Sequence, residues 1–259
     1  MAEALWVGVA EAYARSFAGL CAGAVPTLLD GLPAGCRLVD VGCGTGTLVA
    51  AARERGHDVV AVEPDPDMAG LAADRLGTEV VLGGLPDLPL ADSGFEAVTA
   101  SFVLNHVEDP RAGARELARV AAPGGVVRAT TWGATPAPQA VMWAGILDAA
   151  GAVRAPSPRL APDKDFERSP AGLADVLTSV GLAVTRAGVE RWTWRVRADD
   201  LWSGLTSVGN FGVAWRQQAD DVRDRVRAAY DEHVSPWRDG DALAFDVECV
   251  LVEARVPRA

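Results

Sequence analysis

The residues most suited to chemistry lie in the first half of the chain. Asp40 stands two positions before Gly42, Gly44 and Gly46, and Glu63 follows about twenty residues after the first glycine. Glycine tolerates positive φ and carries no Cβ, so this backbone can turn sharply and lie against a ligand. A strand, a glycine turn and a helix in succession aim N–H groups at that ligand. The acid beside the turn disfavours a pyrophosphate and suits a cationic ligand. An acid at the end of the next strand can accept both hydrogens of a ribose diol. His106 adds a titratable group. It follows the fourth expected strand, at the carboxyl end of the sheet where open α/β folds bind ligands. It reads either as a catalytic base or as a structural histidine hydrogen-bonded to backbone.

Spacing excludes two phosphate cradles. A dinucleotide fingerprint needs G-x-G-x-x-G, but the third position holds Thr47 counted from Gly42 and Val49 counted from Gly44. No Lys followed by Ser or Thr closes the loop, so it is not a Walker A sequence.

The elements that must position these groups follow from the apolar pattern. Leu38–Val41 reads as a strand and Thr47–Arg53 as the helix after the turn. Val59–Glu63 is a second buried strand, and Pro64 and Pro66 lead into a helix through Met68 and Leu71. Val80–Leu82, Phe95–Ser101 and residues 126–131 supply further strands, with a helix over 109–121. Residues 4–30 read as two helices, in which Tyr13 and Phe17 either cover the ligand or pack on the sheet. His57, in Arg55-Gly56-His57-Asp58, reads as part of a surface turn, and His233 falls near the end of a late helix.

Val39-Asp40-Val41-Gly42-Cys43-Gly44-Thr45-Gly46 resembles the first motif of the class I S-adenosylmethionine (SAM)-dependent methyltransferases. Phe95-Glu96-Ala97-Val98 resembles their Phe-Asp-x-Val motif, and Pro123-Gly124-Gly125 before a strand is typical of them. The resemblance covers residues 35–132. It implies an α/β fold: a Rossmann-like, seven-stranded, mostly parallel sheet with helices on both faces and an antiparallel last strand. It also implies SAM as cofactor, bound through Asp40, Gly42, Cys43, Gly44, Gly46, Glu63, Pro64, Leu85, Ser101 and Tyr13. The pattern departs from the family at Gly84, where members often place an Asp on the adenine amino group. The Leu85 N–H, with Leu82 and Leu85 around the base, is the expected substitute.

Beyond residue 132 the reading rests on pattern. The expected division is a helical segment over 1–34, a SAM-binding core over 35–136, and the rest of the sheet over 137–259. Cap insertions are expected at 137–168 and 198–243. Residues 154–168 read as an exposed loop. Seven of the eight tryptophans lie at or beyond Trp132. Such a surface suits a flat or greasy small molecule, and Asn105, Trp132 and Trp143 are the expected substrate contacts, with Trp192 and Trp194 packing on a helix. The net charge of −11 opposes a nucleic-acid partner. Four scattered cysteines show no metal spacing, and no membrane span or signal peptide is read, so a reduced, cytoplasmic protein is expected. The resulting expectation is methyl transfer to an O, N or C atom of a small, largely apolar molecule, in secondary metabolism. SAM-assisted chemistry other than methyl transfer and a non-catalytic SAM-binding protein stand as alternatives. A nicotinamide enzyme is disfavoured by the loop spacing.

Overall fold

The structure, a computed structural model, describes residues 6–154 and 159–258. Leu5 of the expected first helix and residues 155–158 of the expected loop lie outside the described residues. Three short helices, α1 (Ala10–Arg15), α2 (Phe17–Ala22) and α3 (Val25–Leu29), replace the two expected. Ser16 interrupts the run with non-helical backbone, and Pro26 sits in the first turn of α3. There follow β1 (Arg37–Val41), α4 (Thr47–Glu54), β2 (Asp58–Glu63), α5 (Pro66–Leu76), β3 (Val81–Leu82), β4 (Phe95–Ser101), α6 (Pro110–Val120) and β5 (Ala121–Trp132). The chain continues with α7 (Pro138–Ala149), α8 (Pro170–Thr178), β6 (Ala183–Val196), α9 (Ala198–Ser207), α10 (Gly209–Arg216) and α11 (Asp220–His233). It ends with β7 (Arg238–Asp239) and β8 (Ala242–Arg255).

The strands pair in the order β3-β2-β1-β4-β5-β8-β6, and the two-residue β7 pairs with β8, which makes eight strands rather than seven. β1 is parallel to both β2 and β4, β4 is parallel to β5, and β8 runs antiparallel to β5. β5 is longer than its apolar run because Ala121 already pairs with Phe95 before the Pro123–Gly125 excursion; pairing resumes at Ala97 and Val126.

The described residues fall into two compact units. The larger comprises the described residues within Ala24–Ala134, Arg159–Glu190 and Glu248–Ala259. Val39, Val62, Val98 and Val127 form a core in which the strands are covered by apolar side chains, as buried parallel sheets require. Leu117 of α6 and Leu173 and Leu177 of α8 pack into the same core. The chain runs outward from β1 to β2 and β3, then returns to β4 on the other side of β1. That reversal places a crevice at the carboxyl ends of β1 and β4. Residues 159–168, expected as part of a cap insertion, group with this unit: Phe166 is buried in its core, and the Arg168 carbonyl accepts the Ala134 N–H at 3.0 Å.

The smaller unit comprises the described residues within Met1–Gly23, Thr135–Pro158 and Arg191–Val247. Its core is rich in aromatic rings. Trp194 packs 6.0 Å from Phe17 and 5.6 Å from Phe245, while Trp202 stands 4.9 Å from Tyr230 and 5.1 Å from Trp215. Phe17 is thus a core residue against β6. Trp192 and Trp194 lie over Gly23 and Gly19 at and beside α2, close enough that a Cβ at Gly23 would overlap the Trp192 ring. No described helix is long and apolar enough to cross a membrane.

Candidate functional site

The glycine turn follows β1 directly. Gly42, Gly44 and Gly46 all have positive φ, at 70°, 55° and 84°. At Gly42 a side chain is also excluded sterically, since a Cβ would lie 2.6 Å from Val103 Cγ2. Four of the turn's N–H groups have partners inside the protein. Those of Gly42 and Cys43 reach the Val62 carbonyl at 2.8 and 3.0 Å, and that of Gly46 reaches the Cys43 carbonyl at 3.0 Å. The Gly44 N–H donates to Glu63 Oε2 at 2.8 Å. Those four amides brace the turn from within.

Two acids stand at the turn. Asp40 is buried and accepts from Thr99 Oγ1 at 2.8 Å, across the β1–β4 register. Burial pushes its pKa up to about 7, and the nearby Glu63 charge adds to the rise while Thr99 opposes it. Glu63 is also buried, and its second oxygen accepts the Asp65 N–H at 3.1 Å. Its pKa is raised by burial and held back by the bonds from Asp65 and Gly44. Each bonded oxygen keeps a lone pair, so Glu63 is fixed in orientation and still able to accept. Among the described residues neither acid has a basic partner.

The remaining cofactor candidates divide between the units. Cys43 is buried in the turn, and burial raises its thiol pKa. Ser101 Oγ lies 3.3 Å from Thr130 Oγ1. Leu85 packs towards α6, and its Cδ1 lies 3.2 Å from a Cβ position on Gly113. Pro64 fills the space beside Gly84, with its Cβ 3.0 Å from where a side chain would begin, which leaves no easy room there for an aspartate. Asp87 is exposed and Leu82 is 60 % exposed. Tyr13 belongs to the smaller unit, where its hydroxyl bonds Cys21 and its ring meets Trp6 edge-on at 5.8 Å.

The acceptor-side candidates divide between the units. Asn105, His106 and Trp132 belong to the larger unit and Trp143 to the smaller. Val103, against Gly42, joins the glycine turn to the Phe102–His106 segment. The Asn105 Oδ1 atom is buried without a partner. His106 is exposed by surface area, yet protein atoms crowd it, and that crowding lowers its pKa to about 4. The ring is neutral at neutral pH. Trp132 stacks on Phe102 at 4.1 Å. Trp143 is buried 6.2 Å from Trp202, and its Nε1 has no partner.

A sequence profile described as a methyltransferase domain matches residues 39–129. A demethylmenaquinone methyltransferase of Clavibacter sepedonicus is 39 % identical over 109 residues, a match covering 40 % of this chain and 44 % of that protein. The match to this relative thus spans less than half its length. A ubiquinone biosynthesis O-methyltransferase of Xanthomonas axonopodis is 35 % identical over 178 residues, covering 64 % of this chain and 71 % of that protein. The chain belongs to the SAM-dependent methyltransferases. A SAM-dependent methyltransferase from Aquifex aeolicus shares the fold, with a TM-score of 0.53, 17 % identity and coverage of 94 % of this chain and 95 % of that one.

The cofactor of that family is S-adenosylmethionine, and the residues present fit it. Two buried acids without cationic partners favour a ligand that brings positive charge. The Thr45 hydroxyl, buried in the turn without a partner, adds an unused polar group. Sequence reasoning missed several residues of this methyltransferase. Thr99 is found only through strand register, and Phe102 only through its backbone. His57, expected in a surface turn, is buried, with Nδ1 3.3 Å from Cys36 Sγ. The short loop returning to β2 sets it beside Cys36, just before β1.

Proposed function

We propose that this chain transfers a methyl group from S-adenosylmethionine to a small, largely apolar acceptor with an oxygenated aromatic ring. The observation that carries the reading is the buried, unpaired acid pair, Asp40 and Glu63, around a glycine turn at the switch point of the sheet. The acceptor class is supported by the quinone-pathway names of two relatives. Asp40 offers charge to the cationic part of the cofactor and holds the turn, while Glu63 holds the ribose diol. Pro64, Leu85 and Ser101 flank the same frame. When bound, the cofactor supplies a methyl on a sulfonium, whose S–C electrons remain on sulfur as the acceptor's lone pair takes the carbon.

The protein's main task is then alignment in a mostly apolar setting. Asn105 presents a polar acceptor atom to the methyl acceptor. His106, neutral at neutral pH, is able to receive a proton, but its lowered pKa makes it a weak base. It suits an acceptor hydroxyl that loses its proton late, as the new bond forms. Segments 137–168 and 198–243, with four of the eight tryptophans, select the acceptor, and Trp132 and Trp143 contribute to that selection. The free cysteines support a reducing, cytoplasmic setting.

Titration calorimetry with SAM, followed by assay of S-adenosylhomocysteine release with catechol and 1,4-naphthohydroquinone, tests the reading. Binding and release are the expected result. Absence of SAM binding overturns it. A His106→Ala variant should bind SAM normally and lose about a hundredfold in kcat if the imidazole takes the proton. A loss of less than about threefold assigns the ring to packing.

A further inference from the structure

The two edges of the sheet differ. One is β3, only two residues long. The other is β6, which runs for 14 residues and has no further strand beside it among the described residues. A free edge presents a row of N–H and C=O groups that another strand can pair with, and proteins blunt such edges with prolines, lysines or very short strands. Between Ala183 and Val196 there is neither proline nor lysine. The part of β6 that belongs to the larger unit, Ala183–Glu190, is open to solvent: Ala183, Thr185, Arg186 and Ala187 are exposed, and Val184, Gly188, Val189 and Glu190 are half-buried. A Cβ at Gly188 would meet nothing within 4 Å.

The charges on this stretch are self-complementary. Arg186 and Glu190 lie two residues to either side of Gly188, and their side chains meet in an ion pair, so they share a face. The Thr27 hydroxyl also holds Glu190, donating to Oε2 at 3.3 Å. In an antiparallel pair of two such strands centred on Gly188, each Arg186 stands opposite the other copy's Glu190. Opposite charges directly across a ladder stabilise it, and like charges destabilise it. Ala183–Glu190 carries one charge of each sign, whereas the whole chain carries −11, so most other surfaces of two copies repel.

We propose that the β6 edge is a surface for a second copy of this chain: two β6 strands pair antiparallel about Gly188, with Arg186 of each against Glu190 of the other, and the two sheets become continuous. Such assembly is independent of the methyl-transfer reading.

Sedimentation velocity of the full chain, from about 1 to about 200 μM, tests this, and a dimer that dissociates within that range is expected. Arg186→Glu or Glu190→Arg sets like charges opposite each other at both ends of the pairing, and each should raise the dissociation constant at least about tenfold. Either reversal also breaks the ion pair within the chain, so mixing the two variants is decisive. In the mixed dimer every acid again faces an arginine, and association should return to about the wild-type strength. An effect confined to one chain cannot be repaired by mixing. A wild type that stays monomeric over the whole range overturns the proposal, as do single variants that dimerise like the wild type or a mixture that fails to recover. Hydrogen exchange on the wild type gives a measure that needs no substitution. Amides within 186–190 should exchange more slowly at the high concentration than at the low one. Equal exchange at both, in a chain that sediments as a dimer, places the interface elsewhere and overturns the proposal.

Discussion

The glycine turn and helix α7 solve opposite problems. Around the turn, the N–H groups of Gly42, Cys43, Gly44 and Gly46 all have partners, and the carboxylates of Asp40 and Glu63 are held by directional bonds. On α7, Gln139 and Trp143 lie one helical turn apart and are buried, yet Gln139 Oε1 and Trp143 Nε1 have no partners. The turn is specified atom by atom, whereas α7 is held by the packing of large rings. A network of buried charged bonds tolerates little change, because each lost partner leaves another group unsatisfied. An aromatic core tolerates replacements that conserve volume. Substitutions should therefore cost much at the turn and little on α7.

The largest effect is expected at Asp40. Asp40→Ala removes a buried charge and the partner of Thr99, and SAM affinity should fall about a hundredfold, as expected for a hydrogen-bonded charged group. Calorimetry that shows unchanged affinity would end the assignment of the turn. The raised pKa adds a signed expectation. With its folded pKa above the unfolded value, Asp40 favours folding when protonated, and that contribution is lost as pH rises through about 7. Asp40→Asn should thus raise the melting temperature of the ligand-free protein near pH 8, with the gain shrinking towards pH 4. SAM binding to the wild type should strengthen as pH rises towards 8, because a cationic ligand favours the ionised carboxylate.

Gly42→Ala comes next. The substitution places a Cβ at positive φ and within 2.6 Å of Val103. A stability loss of about 2 kcal/mol is expected, with weaker cofactor binding, because the turn and the Phe102–Val103 segment must part. Thermal melts and calorimetry read both. A variant as stable as the wild type would show that the frame is looser than its bonding implies.

Glu63→Gln should cost about tenfold in SAM affinity. The amide can accept through its oxygen, but its NH2 group cannot accept from Gly44 or Asp65, so a bond to the frame is lost with the charge. Loss of cofactor affinity without loss of folding would locate the effect in the ribose contact. Equal affinity in variant and wild type would remove Glu63 from the site.

The same contrast explains what was legible in the sequence. The turn, its acids and the parallel strands depend on contacts between residues close in sequence or on buried apolar runs, and these leave periodic or spaced signals. Glu63 could be placed because its strand ends at a predictable distance. The partners of those acids were not legible. Thr99 meets Asp40 through a strand pairing that spans 59 residues, and nothing local to Thr99 marks it. Phe102 reads as one more apolar residue, since a left-handed backbone held by Thr130 leaves no trace in residue type. His57 looked exposed because Arg55-Gly56-His57-Asp58 has a turn's composition, but its imidazole fills space beside Cys36. In the smaller unit, the sequence announced an abundance of tryptophan without saying which rings touch. The contacts of Trp202 with Trp143, Trp215 and Tyr230 join α9 to three other helices, and no pairwise spacing encodes them.

The smallest effect is expected at Trp143, and it examines the other side of the contrast. Its Nε1 is buried without a partner, so the polar atom is a cost to the ligand-free fold. Trp143→Phe removes that atom and keeps an aromatic ring against Trp202, at the expense of some volume. The gain from removing an unsatisfied donor, about 1–3 kcal/mol, should nearly cancel the loss from the smaller ring. The melting temperature is therefore expected to stay within a few degrees of the wild type, roughly the shift of a 1 kcal/mol change. SAM affinity should be unchanged, while the KM for an aromatic acceptor should rise if the indole N–H is kept to bind it. A steep drop in melting temperature would show that Nε1 is already satisfied, for instance by a buried water. The smaller unit would then be wired as tightly as the turn, and the contrast between them would fail.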